Sequence, residues 1–197
     1  MSAIEAIRAE RIVAVLRRVS EPDRVVAALR KGGIRIVEIT FDSDDATGTI
    51  ADLRREPELV VLAGTIRTAE DADAAAEAGA QACVSPTLVP EVLQRCQELG
   101  LPAIPGALTA TEVETAWRLG AAMVKLFPAS LGGPEYVSQL GAPLRAIPLL
   151  ASGGVDAANA AAFLRAGADA VAVGSALTAA RDPAAAARDL VGSVRDA

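Results

Sequence analysis

The chain contains no histidine in its 197 residues. A Ser-His-Asp or Cys-His nucleophile system is therefore excluded, and so is a His-ligated zinc site. Proton transfer near neutral pH falls to carboxylates, lysine, tyrosine or a bound phosphate. Aromatics make up only 3% of the chain against 52% hydrophobic residues. The core must then be built from Ala, Val, Leu and Ile, the usual content of buried parallel strands and their covering helices. The two cysteines, Cys83 and Cys96, are spaced for neither a zinc site nor a redox pair. Cys83 falls in an apolar strand-like run and Cys96 on a helical stretch, and both read as packing residues. That usage suits the cytoplasm. No run approaches the roughly 18 apolar residues of a membrane span. The stretch MSAIEAIRAERIVAVLRR lacks a basic n-region and a cleavage pattern, so no signal peptide is expected. The net charge of −6 speaks against nucleic acid as a partner. It leaves room for a phosphorylated small molecule, which needs only a local cradle.

Lysine is the second scarcity. Of 19 basic residues only Lys31 and Lys125 are lysine. Lys31, in RKGG, sits at the end of a helical stretch, where a cation suits the helix C-terminus. Lys125 sits in AAMVKLFPA with apolar residues on both sides.

One phrase recurs along the chain: a helical stretch, a glycine, then a short apolar run. It appears as LRKGGIRIVEIT, AEAGAQACVS, QELGLPAIPG, WRLGAAMVKLF and LRAGADAVAVGS. Glycine just past a helix supplies the left-handed cap. Nearly continuous apolar runs of strand length suit strands buried on both faces. Repetition of the phrase predicts β/α units around a parallel sheet. Eight strands are predicted near 12–17, 34–40, 59–64, 81–85, 102–105, 122–127, 147–151 and 169–174. Helices are predicted at about 21–31, 45–55, 69–78, 89–99, 109–119, 134–145, 156–166 and 182–194. A leading helix, 2–10, would close the bottom. The expected fold is α/β, a single (β/α)₈ TIM barrel over residues 1–197 with short loops, since such barrels typically run to ~250 residues.

Chemistry in such a barrel sits at the C-terminal ends of the strands. Arg17 and Arg18, Glu38 and Thr40, Gly64 and Thr65, Ser85 and Pro86, Lys125 and Phe127, Ser152-Gly153-Gly154, and Gly174-Ser175 stand there. Side chains alternate along a strand. That groups Val13, Val15 and Arg17; Ile36, Glu38 and Thr40; and Met123, Lys125 and Phe127. A charged group in each set avoids an unpaired burial cost only by pointing inward to the mouth. There Glu38 and Lys125 form either a buried ion pair or a reactive pair. Burial disfavours an ammonium, and a neutral amine can attack a carbonyl to form an imine. Glu38 would then move protons. Gly153-Gly154 after strand seven and Gly174-Ser175 after strand eight stand where barrels commonly bind phosphate.

The segments IVAVLR, GGIRIVEIT, AGT, VSP, IPG, KLFPA, SGGV and VGSAL occur in order from residue 12 to 177. Together they resemble the 2-dehydro-3-deoxy-phosphogluconate (KDPG) aldolase family, which includes 4-hydroxy-2-oxoglutarate aldolases. The resemblance implies a Schiff-base aldolase that is a homotrimer and uses no metal and no cofactor. Its substrates would be a small 2-oxo acid and a phosphorylated aldehyde. It assigns Lys125 to the imine and Glu38 to proton transfer. It places Thr65, with Thr40, Pro86 and Phe127, around the 2-oxo acid, and Ser152, Gly153, Gly154, Gly174 and Ser175 around the phosphate.

Two positions depart from the pattern. Where many members carry an arginine four residues after the glutamate, this chain has Asp42; Arg17 is expected to take over the carboxylate, since a guanidinium fork matches it. Arg18 is expected to point to solvent, and Asp44 or Asp45 to cap the next helix. Serine stands first in SGGV, where threonine is common, and keeps the hydroxyl. The sequence leaves open aldolases for 2-dehydro-3-deoxy-6-phosphogalactonate or 4-hydroxy-2-oxoglutarate. It also leaves open a barrel isomerase without an imine and a non-catalytic sugar-acid-binding relative.

Overall fold

A computed structural model describes residues 1–197. Nine short strands form one parallel sheet: β1 (Ile12–Leu16), β2 (Ile36–Thr40), β3 (Val60–Gly64), β4 (Cys83–Val84), β5 (Ala103–Ile104), β6 (Gly106–Ala107), β7 (Val124–Leu126), β8 (Leu149–Ser152) and β9 (Ala170–Val173). Their order is β5-β4-β3-β2-β1-β9-β8-β7-β6. The two ends of that order, β5 and β6, are consecutive in the chain and separated only by Pro105. The sheet therefore curls into a barrel. Proline has no N–H to give to a ladder, and it divides the fifth strand in two. Main-chain bonds cross the seam on both sides: Ser85 N–H donates to Ile104 O, Lys125 N–H to Pro105 O and Phe127 N–H to Ala107 O. The expected (β/α)₈ barrel is thus present, with one interrupted strand.

The helices are α1 (Ala3–Glu10), α2 (Pro22–Lys31), α3 (Ala46–Leu53), α4 (Ala69–Glu77), α5 (Pro90–Glu98), α6 (Ala110–Arg118), α7 (Gly133–Gly141), α8 (Ala160–Arg165), α9 (Ser175–Thr178) and α10 (Pro183–Arg195). The recurring glycines Gly33, Gly79, Gly100, Gly120 and Gly167 all have positive φ, as left-handed caps require. Two helices are shorter than the sequence suggested. The seventh ends at Gly141, ahead of Pro143. The eighth starts only at Ala160, because Asp156 and Asn159 exchange side-chain to main-chain bonds that tie residues 156–159 into a turn. A short extra helix, α9, follows β9, where no helix was expected.

Strand alternation sorts the core into two layers. Val13, Val15, Ile36, Leu62, Val84, Ile104, Met123, Leu150 and Ala172 fill the barrel interior, and Ala3, Ala6 and Ile7 of α1 plug its bottom. A larger cluster lies between the strands and the outer helices. Both cysteines are buried and free. No helix is long and apolar enough to cross a membrane.

Candidate active site

The interior side chains identify which residues of each strand face inward, and the charged groups follow their parity. Glu38 follows Ile36 and Lys125 follows Met123 on that same face. Glu38 pairs in register with Val15 and Leu62, and Lys125 with Gly106 and Leu150. The carboxylate and the ammonium therefore cap the apolar plug from above. Lys125 Nζ lies 3.5 Å from Glu38 Oε1, and the two side chains are 6% and 0% exposed. Neither Glu38 oxygen receives a hydrogen bond from the protein. Gly64 makes the space: a Cβ there would overlap the Glu38 carboxylate.

Above this pair opens a cleft of about 700 Å³. Lys125, Arg17, Thr65, Pro86, Phe127, Ser152, Gly153, Gly154, Gly174 and Ser175 line it. Lys125 Nζ stands 5.4 Å from the centroid of the Phe127 ring, within reach of its negative face. On one wall, Arg17 Nη1 donates to Asp42 Oδ2 at 2.7 Å and Nη2 to Thr65 Oγ1 at 3.1 Å. Thr65 has φ of 60°, a conformation that is rare for a β-branched residue. At the end of β8, two strands from β1 across β9, Gly153 and Gly154 have φ of 88° and 80°. The main-chain N–H groups of Gly153, Gly154, Val155 and Gly174 donate to no protein acceptor. A row of free N–H groups in such a turn can hold an anion.

Thr40 is brought near but not into the cleft. It is fully buried, and its hydroxyl donates to Leu16 O at 3.3 Å and lies 3.1 Å from Ser43 Oγ. It ties β2 to β1. Arg18 points away from the cleft. Its Nε donates to Asp42 O at 3.2 Å, and it lines a separate pocket with Ser20, Ser43 and Asp44. Asp45 caps α3, accepting from Gly48 N–H at 3.1 Å.

Three further residues line the cleft: Asp42, Arg67 and Asp156. Asp42 stands against Arg17. Burial works to raise its carboxyl pKa, but the Thr40 hydroxyl and the Arg17 and Arg18 charges outweigh burial and hold it below the usual range. Arg67 lines the cleft two residues past Thr65, beyond the end of β3, where strand alternation gives no signal. Asp156 follows SGGV and accepts from Ala158 and Asn159 N–H, closing the turn under the cradle. An Asp three residues before an Asn was the available signal.

Comparison with known proteins identifies the family. The family model "KDPG and KHG aldolase" matches residues 3–189. A 2-dehydro-3-deoxy-phosphogluconate aldolase of Treponema pallidum is 40% identical over 168 residues, covering 83% of this chain and 80% of the relative. A 2-dehydro-3-deoxy-6-phosphogalactonate aldolase of Escherichia coli is 36% identical over 171 residues, covering 83% of this chain and 82% of the relative. Among solved structures, a 4-hydroxy-2-oxoglutarate/2-dehydro-3-deoxyphosphogluconate aldolase superposes with a TM-score of 0.89 at 30% identity, covering 98% of this chain and 99% of that one. With a family model matched from end to end of the barrel, this chain belongs to the KDPG and KHG aldolase family.

Proposed function

We propose that this protein is a metal-independent Schiff-base aldolase that reversibly cleaves 2-dehydro-3-deoxy-6-phosphogluconate to pyruvate and glyceraldehyde 3-phosphate. The observation that carries the reading is the Lys125–Glu38 pair, 3.5 Å apart, with Lys125 lining a cleft that also holds the Arg17 guanidinium and free N–H groups at the ends of β8 and β9.

Lys125 Nζ attacks C2 of the substrate. Water leaves the carbinolamine, and a protonated imine forms. Glu38 takes the C4 hydroxyl proton, directly or through water. The C3–C4 bond breaks, its electron pair moves toward the iminium nitrogen, and glyceraldehyde 3-phosphate departs. The enamine left on Lys125 is protonated at C3, and hydrolysis frees pyruvate and the amine. Holding the amine and the carboxylate in place supplies the orientation that such steps need. Arg17 and Thr65 hold the substrate carboxylate, with Pro86 and Phe127 against the pyruvyl group. Ser152, Gly153, Gly154, Gly174 and Ser175 hold the phosphate through main-chain N–H groups and hydroxyls.

The folded chain acts as one domain, assembles as a homotrimer and works in the cytoplasm, where Cys83 and Cys96 stay reduced. Exposed Trp117, Leu119 and Leu131 offer apolar surface for assembly. Cleavage rates on a substrate panel test the choice of substrate. The phosphogluconate compound should exceed the phosphogalactonate and 4-hydroxy-2-oxoglutarate compounds at least tenfold in kcat/KM. A preference for either of the others would move the assignment to it.

A further inference from the structure

Arg17 is held from two sides in a chain where most surface arginines have at most one partner of this kind. Asp42 accepts from Nη1 at 2.7 Å and Thr65 Oγ1 accepts from Nη2 at 3.1 Å. A guanidinium carries five N–H donors, so the two bonds leave three for a ligand. The Asp42 contact is a single point on one nitrogen, not a fork across two. It fixes the direction of the guanidinium without consuming the face that a substrate carboxylate would use. Asp42 is itself held. Arg18 Nε stands 3.6 Å from Oδ2 and 3.2 Å from the Asp42 main-chain oxygen. Arg17 is half exposed, and a long side chain that is free to rotate binds a carboxylate only after losing that freedom.

We propose that Asp42 is a positioning residue for Arg17: it aims the guanidinium into the cleft and so sets the affinity of the site for the carboxylate end of the 2-oxo acid. This rests on the reading of Arg17 as the group that receives that carboxylate. Asp42 touches no reacting atom. It acts on binding and leaves bond-making to Lys125 and Glu38.

The test is a double-mutant cycle in the condensation direction, reading KM for pyruvate and kcat separately at saturating glyceraldehyde 3-phosphate. Arg17→Ala should raise KM by about tenfold or more, the loss of one charged hydrogen-bonding partner. Asp42→Ala should raise KM by about fivefold or more with kcat within about threefold, and Asp42→Asn, whose amide oxygen still accepts, should fall between it and wild type. In the Arg17→Ala background, Asp42→Ala should add less than about twofold, because coupled residues are not additive. Melting curves of each variant report folding, and Asp42→Asn keeps the side-chain volume should the alanine variant unfold. If Arg17→Ala raises KM while both Asp42 variants leave it unchanged or lower it, the positioning role is wrong and the Arg17 reading stands. Full additivity in the double variant also overturns the positioning role. If Arg17→Ala leaves KM unchanged, the Arg17 reading itself fails and the proposal falls with it.

Discussion

Lys125 Nζ and Glu38 Oε1 meet 3.5 Å apart at the top of the barrel's apolar plug, and Glu38 receives no hydrogen bond from the protein on either oxygen. An ion pair that stabilises a fold fills its remaining lone pairs with donors, since desolvation otherwise outweighs the attraction. This pair leaves both Glu38 oxygens buried without a protein donor, directly beside the Lys125 amine that lines the cleft. Glu38→Gln is expected to slow cleavage by about 10²–10⁴-fold, the usual share of a general acid–base group. Deuterium exchange into the methyl group of pyruvate should slow comparably. A loss below about tenfold in both assays contradicts the role.

Gly64 guards the same carboxylate through space alone, because its φ is not in the left-handed region. A Cβ would overlap the Glu38 carboxylate and its Cγ. Gly64→Ala should lower kcat at least tenfold, while overpacking lowers stability by about 1–3 kcal/mol. Steady-state rates and thermal melts separate the two effects. Unchanged kcat would mean that Glu38 need not stand where it does.

Much of this was legible in the sequence. The alternation of Ile36 with Glu38 and of Met123 with Lys125 placed both charges on the inward face, because a strand offers only two faces. The left-handed glycines marked the helix ends. Local bonding hid the rest. Pro105 interrupts a ladder that hydropathy reads as one run. Thr40 has inward parity, yet its hydroxyl is taken up by Leu16 O and Ser43. The partnership of Arg17 with Asp42 spans 25 residues, and no local pattern records it.

Gly154 tests the turn after β8. It has φ of 80°, and a Cβ would press on the Ser130 side chain. Gly154→Ala should raise KM for glyceraldehyde 3-phosphate by about tenfold or more, the worth of one to two charge-assisted hydrogen bonds. Methyl exchange of pyruvate alone should stay within about twofold. An equal loss in both assays would remove the case for a separate phosphate cradle.

Acid pH should expose Asp42. The Thr40 hydroxyl and the charges of Arg17 and Arg18 prevail over burial and hold its carboxyl below the ordinary value of 3.8. A depressed pKa gives stability that is fully present above the unfolded value and is lost as pH falls through the folded one. The difference in melting temperature between wild type and Asp42→Asn should therefore be constant from about pH 7 to pH 5 and shrink below about pH 4. A difference that grows on acidification contradicts the ion pair.

Borohydride reduction in the presence of pyruvate tests the imine most directly. Wild type should gain one reduced pyruvyl group, located by peptide mass mapping at Lys125, and Lys125→Met should gain none. Labelling at Lys31, the other lysine in the chain, or labelling that persists in Lys125→Met, would contradict the Schiff-base mechanism.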